Sequence, residues 1–303
     1  MIKGPKNIAA SVHQRLLDKA RQSSRPFNEL LQYFAIERFI YRIAKSSYAN
    51  RFILKGALMF SAWSGALSRP TMDIDLLGKI DNQLDTITAA IKEACLMEVE
   101  EDGICFDAET VNAVRITEDA EYEGVRVRVH GNMGKARISI QIDIGFGDVI
   151  VPNPERVSYP TLLDFPAPEL NGYTMESTIA EKFQAMVKLG VVNSRMKDFY
   201  DIWMLSRTFN FNGKILAEAV EKTFENRKTP LNLNSVVFNP SFGKDKTRYV
   251  QWQGFIRKAK LVDAPDSFQK VIAELKIFLE PIVSSINRGQ AFTSSWTAPG
   301  PWQ

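Results

Sequence analysis

The chain has 303 residues, 45% hydrophobic and 24% charged, with a net charge of only +3. Those are ordinary globular proportions, enough for two domains or for one with a large appendage. They exclude an overall basic nucleic-acid binder, so any such surface must be local, and no apolar run approaches the roughly 20 residues of a bilayer span. Cys95 and Cys105 are the only cysteines. With no leader segment, they fit a reducing cytosol, so a cytoplasmic location without a membrane partner is expected. His13 and His130 lie far apart in sequence, which argues against a histidine zinc site. No Gly-x-Ser-x-Gly elbow is present for a serine hydrolase.

Residues 8–22 and 27–45 read as helices, the second too apolar for a single exposed stripe and therefore largely buried. Arg51–Lys55 is an apolar strand, and Gly56 turns it into a short helix ending near Trp63. After Arg69-Pro-Thr71, residues 72–77 form a second strand carrying Asp73 and Asp75. A helix is expected over 81–94 with Asp81 as its cap. Residues 104–106, 111–116, 125–129 and 137–144 alternate apolar and polar residues, as half-buried strands do. In the last, Ile138, Ile140, Ile142 and Ile144 share one face, with Ser139, Gln141 and Asp143 on the other. Prolines recur at 152, 154, 160, 166 and 168 and read as linker. Beyond them the chain reads as helical: Thr174 caps a helix to Leu189, a second covers 196–208, and others fall near 213–226, 244–260 and 266–280. The tail from Ser284 is expected to fray. The expected organisation is a core over 1–168, a helical region over 169–283 and a flexible tail over 284–303.

Side chains alternate across a strand, so Asp73 and Asp75 share a face, with Ile74 and Leu76 opposite. A D-x-D pair also occurs on exposed strand ends; the order of features carries more weight. A glycine turn comes first, the acid pair follows seventeen residues later, and a third acid, Asp143, sits on an alternating strand. Three carboxylates on neighbouring strands suit Mg²⁺ (or Mn²⁺) in an in-line phosphoryl displacement, with the phosphates of an NTP completing the coordination. Gly56 would let backbone N–H groups approach those phosphates. Lys55 lies beside it, although alternation leaves its direction open.

Leu54-Lys-Gly-Ala57 followed by Arg69-Pro-Thr-Met-Asp-Ile-Asp-Leu76 resembles the AbiEii/AbiGii toxin family of type IV toxin–antitoxin and abortive-infection systems. Ala35-Ile-Glu-Arg-Phe-Ile-Tyr-Arg42 and Ser194-Arg-Met-Lys-Asp-Phe-Tyr-Asp-Ile-Trp203 agree with it, and the resemblance covers about residues 8–210. It implies an α/β (α+β) fold: a DNA polymerase β-like nucleotidyltransferase core with a mixed sheet and a helical C-terminal region. It further implies nucleotide transfer from an NTP to RNA, at the tRNA 3′ acceptor end, and a cognate antitoxin encoded nearby. Many nucleotidyltransferases have Gly-Ser or Gly-Gly where this chain has Gly56-Ala57, so backbone donors must serve without a serine hydroxyl.

Lys182 lies on a semi-apolar helix boundary beside Ile179, Phe183 and Met186, where it could be a snorkelling lysine whose stem packs. Asp198 and Asp201, at i and i+3, share a helical face, and helix capping alone could account for Asp198. The resemblance implies instead an essential lysine at 182 and a functional acid in the Lys197-Asp-x-x-Asp201 run; Asp198 is taken as that acid and Asp201 as a partner of Lys182 or Arg195. The catalytic candidates are therefore Asp73, Asp75, Asp143, Lys182 and Asp198. The nucleotide-binding candidates are Lys55, Gly56, Ala57, Thr71, Arg195 and Asp201. Lys244, Lys246, Arg248, Arg257, Lys258 and Lys260, interleaved with Tyr249, Trp252 and Phe255, form either an RNA-facing helix or an amphipathic helix with solvated charges. Three rival functions remain: nucleotidylation of a protein, phosphorylation of a target with an NTP as donor, and a non-catalytic binding module that keeps the fold.

Overall fold

The computed structural model describes residues 7–65, 71–118, 122–232 and 235–303. Arg69 and Pro70 of the Arg-Pro-Thr motif lie outside them. The chain divides into two compact units. Residues 1–147 and 155–172 form the first, and residues 148–154 and 173–303 the second.

In the first unit, helices α1 (Ile8–Ser23) and α2 (Phe27–Lys45) precede strand β1 (Phe52–Lys55). Helix α3 (Leu58–Ser64), strand β2 (Asp73–Gly78) and helix α4 (Leu84–Leu96) follow. Then come β3 (Cys105–Glu118), β4 (Tyr122–Met133), β5 (Ala136–Phe146), β6 (Glu155–Ser158) and β7 (Glu169–Gly172). The seven strands make one mixed sheet in the order β3-β4-β5-β2-β1-β7-β6. β2 runs parallel to β5 and antiparallel to β1, and β1 runs parallel to β7.

Alternation decides which sheet face is covered. Ile138, Ile140, Ile142 and Ile144 of β5 are buried, as are Ile74 and Leu76 of β2 and Val125, Val127 and Val129 of β4. Phe39 of α2 meets Phe106 of β3 edge-to-face at 4.9 Å on that apolar side. α2 is largely buried, as its composition suggests, and it buries charge as well. Arg42 donates to both Asp102 carboxylate oxygens, at 2.6 and 3.1 Å, and to the Ile104 carbonyl at 3.1 Å. Glu37 accepts the Leu162 N–H at 2.7 Å, and Arg38 donates to the Pro166 carbonyl at 2.7 Å.

Several expected boundaries differ. Asp81 does not cap α4: its Oδ1 accepts the Gln83 N–H at 3.3 Å in an Asx turn, and the helix starts at Leu84. The segments expected as separate strands over 104–106 and 111–116 fall, apart from Ile104, in the single strand β3. The acidic segment between them makes a register shift, with Glu109 N–H donating to Asp107 Oδ1 at 3.0 Å. The proline stretch read as linker holds β6, and β7 follows directly on its last proline. Its prolines flank the strands rather than occupy them, so no ladder donor is lost.

The second unit contains α5 (Met175–Leu189), α6 (Met196–Thr208), β8 (Phe211–Asn212), α7 (Gly213–Asn226), α8 (Pro240–Lys244), α9 (Lys246–Ala259), α10 (Phe268–Asn287) and β9 (Ser295–Trp296). Thr174 caps α5 through the Ser177 N–H, as its position suggests. The segment expected as one helix over 244–260 is broken at Asp245, whose Oδ1 accepts the Arg248 N–H at 3.0 Å and restarts the helix. The tail does not fray. Its first residues continue α10, and β9 pairs with β8. Trp296 is 3% exposed and donates its indole N–H to the Ser206 carbonyl at 2.6 Å, because its ring completes an apolar core around Phe278.

Candidate active site

Register turns the acid pair into a row. Asp75 of β2 stands opposite Asp143 of the parallel strand β5, and Asp143 stands opposite Arg126 of β4. On the other side, Asp75 stands opposite Lys55 of β1. Cross-strand partners project from the same face. Lys55, left open by the sequence, therefore points to the side that carries Asp75. The row reads Lys55, Asp75, Asp143, Arg126: two acids flanked by two cations. One pair further along the strands, Asp73 stands opposite Gln141, and Gln141 opposite Arg128.

The cation at the β4 end grips its acid. Arg126 donates Nε–H to Asp143 Oδ1 at 2.8 Å and Nη2–H to Oδ2 at 2.7 Å, the two-pronged geometry that charge-assisted pairs favour. Arg128 reaches Gln141 Oε1 only at 3.3 and 3.4 Å. Neither arginine was singled out from the sequence. The alternation Val125-Arg126-Val127-Arg128-Val129 places both on a polar face, but only register shows which acid one of them meets.

Gly56 has φ +72°, in the region that disfavours side chains. A Cβ added there would overlap the Asp75 carboxylate, 2.7 Å from its Cγ and 2.8 Å from its Cβ. The strand-to-helix turn therefore lies directly against the acid. Ala57 is buried at the start of α3 and makes no side-chain cap bond. Thr71 donates its N–H to the Tyr33 hydroxyl at 3.3 Å.

The donor chemistry on this face suits a hard divalent cation: carboxylate oxygens sharing one side, beside a turn with no side chain to obstruct an incoming phosphate. Among the described residues, however, no group of three His, Cys, Asp or Glu side chains is arranged to hold a metal ion. Asp143 is engaged by Arg126, so a shared three-acid site requires that pair to open.

In the second unit, Lys182, Arg195, Asp198 and Asp201 come together. Lys182 Nζ lies 3.0 Å from Asp198 Oδ1 and 2.7 Å from Asp201 Oδ2, with both acids 1% exposed. Arg195 Nε reaches Asp198 Oδ2 at 2.8 Å. Lys182 is thus the shared counter-cation of two buried acids rather than a snorkelling surface lysine. Burying either acid without it would be strongly unfavourable.

The turn before α6 is held from the basic segment. Arg248 donates to the Asn193 carbonyl at 2.5 Å and also to the Val191 carbonyl. Its guanidinium sits 3.8 Å from the Phe242 ring centroid. Burial pushes its pKa down. Trp252 is also fully buried, whereas Lys244, Lys246, Arg257, Lys258 and Lys260 are exposed. α9 is amphipathic, and one of its cations serves packing.

Over residues 38–274 the chain matches the family model described as "Nucleotidyl transferase AbiEii toxin, Type IV TA system". No curated protein gives a significant match. Among solved structures, the chain is similar to JHP933 from Helicobacter pylori, at 13% identity and a TM-score of 0.48, covering 86% of this chain and 93% of that one. It is also similar to a candidate nucleotidyltransferase from H. pylori, at 13% identity and a TM-score of 0.47, covering 88% and 99%.

Proposed function

The chain belongs to the AbiEii family of nucleotidyl transferase toxins of type IV toxin–antitoxin systems, and on that premise we propose that its acidic sheet face transfers a nucleotide from an NTP to an RNA. The proposed acceptor is the tRNA 3′ end, whose blockage would halt translation and growth. A toxin of this family implies a nucleotide substrate and an antitoxin partner. No helix among the described residues is long and apolar enough to cross a membrane.

The observation that carries the reading is the juxtaposition of Asp75, Asp143 and the bare turn at Gly56. A substrate phosphate could approach the acids there without meeting a side chain at position 56. Asp73, Asp75 and Asp143 are the residues that would hold Mg²⁺ (or Mn²⁺), which when bound supplies charge neutralisation to the phosphoryl oxygens. Lys55 adds positive charge beside Asp75. In the proposed reaction the acceptor 3′-hydroxyl attacks the α-phosphorus and the bond to pyrophosphate breaks. Asp143 is placed by this proposal to take the hydroxyl proton. Lys182 and Asp198 are proposed as further residues required for transfer.

The test incubates the protein with total RNA and each α-labelled NTP in Mg²⁺. Label is expected in RNA, and Asp73→Ala, with an unchanged circular dichroism spectrum, should lower it roughly 100-fold or more. Full transfer by that variant would refute the role of the acid. Label on protein would redirect the reading to protein nucleotidylation, and transfer of a γ-label to phosphorylation. Silence with every NTP and acceptor would favour a binding module.

A further inference from the structure

We propose that Arg126 is the resident counter-cation of Asp143 and that an arriving triphosphate draws it away, so that divalent-cation binding at the acidic face depends on the nucleotide. The proposal rests on the reading of that face as a nucleotide-transfer site.

The row of Lys55, Asp75, Asp143 and Arg126 places two carboxylates as direct cross-strand neighbours. Like charges so placed repel, and a cation stabilises them. Arg126 fills that role for Asp143 through both of its carboxylate oxygens. While it does so, those oxygens are directed at a guanidinium and their availability to a metal is reduced. Arg128, two residues on, faces the neutral Gln141 amide instead, so the arginine in the acid row is the one that competes with a metal.

The pair is built to exchange. Arg126 is 33% exposed and Asp143 12%, whereas the two acids held by Lys182 are 1% exposed. A guanidinium fork fits phosphate as well as carboxylate, in the same two-pronged way. A triphosphate on this face can therefore take the fork from Asp143, leaving the carboxylate to a divalent cation. Binding of the two ligands is then positively coupled, and by linkage each strengthens the other equally.

Calorimetric titration with Mn²⁺, alone and with each of the four α,β-methylene NTPs, tests this in the wild type, Arg126→Gln and Arg126→Lys. The wild type is expected to bind Mn²⁺ at least about tenfold more tightly with the effective nucleotide analogue. Arg126→Gln should bind Mn²⁺ alone roughly tenfold more tightly than the wild type, because the competitor is gone, and should gain less from the analogue. Arg126→Lys, which keeps the charge but loses the fork, should fall between them, and it carries the test if the glutamine variant does not fold. Wild-type Mn²⁺ binding with no tightening in a folded variant would overturn the role of Arg126 while leaving the acidic face intact. Wild-type protein that binds no Mn²⁺ in either condition would overturn both.

Discussion

At Gly56, φ is +72° and the space where a side chain would begin is taken by the Asp75 carboxylate. Alanine there must adopt a backbone region that L-residues disfavour and must also displace the acid. Gly56→Ala is expected to lose about 1–3 kcal/mol of stability and more than tenfold in transfer of α-label, measured by urea unfolding beside the RNA-labelling assay. A variant with unchanged labelling would show that Asp75 tolerates displacement. The glycine and the acid pair were legible from chemistry and spacing. Their contact was not, because Gly56 and Asp75 meet only through the antiparallel register of β1 and β2. The same holds for Lys55, whose direction follows from the acid it faces rather than from its own strand.

Among the elements, α2 shows how far composition reaches. Its apolar residues announce burial, yet Glu37, Arg38 and Arg42 are buried with them. Nothing local says that Asp102, the Leu162 N–H and the Pro166 carbonyl will be waiting. Burial pushes Glu37 up from 4.5 to about 7, against the opposing pull of Arg38 and the Leu162 N–H. A carboxyl raised on folding binds more protons in the native state than in the unfolded chain between those values. Its contribution to stability is therefore full below about 4.5 and is lost as pH rises through about 7. The stability of the wild type relative to Glu37→Gln should fall by roughly 3 kcal/mol between pH 4 and 8, read from urea unfolding across that range. A flat difference would mean that Glu37 stays ionised in the fold. In α5 and α6 the case is similar. Helical spacing put Asp198 beside Asp201, but only packing brought Lys182 of another helix onto both.

Over the whole molecule, the proline-bearing stretch and the tail are where local reading misled. Prolines 152–168 signalled a linker, yet the residues between and after them close one edge of the sheet. The tail's serines, glycines and prolines suggested fraying, but Trp296 and Trp302 outweigh them by filling space around Phe278. Trp296→Ala should cost about 3–5 kcal/mol in urea unfolding, as large aromatic truncations in cores do. A loss below about 1 kcal/mol would mean the tail contributes little to the second unit.

The amino-acid sequence by itself determined the alternating strands, most helix positions, the order of glycine turn and acids, and the resemblance that the family match bears out. These depend on periodicity and residue chemistry within a few positions of one another. Only the tertiary structure decided that Asp75 and Asp143 are neighbours, that Lys55 and Arg126 flank them, and that Lys182 joins Asp198 to Asp201. Each of those contacts spans 16 or more residues of chain for its ion pair, or a strand pairing whose register no local pattern encodes. A shift of one residue in that register would have turned every acid to the opposite face.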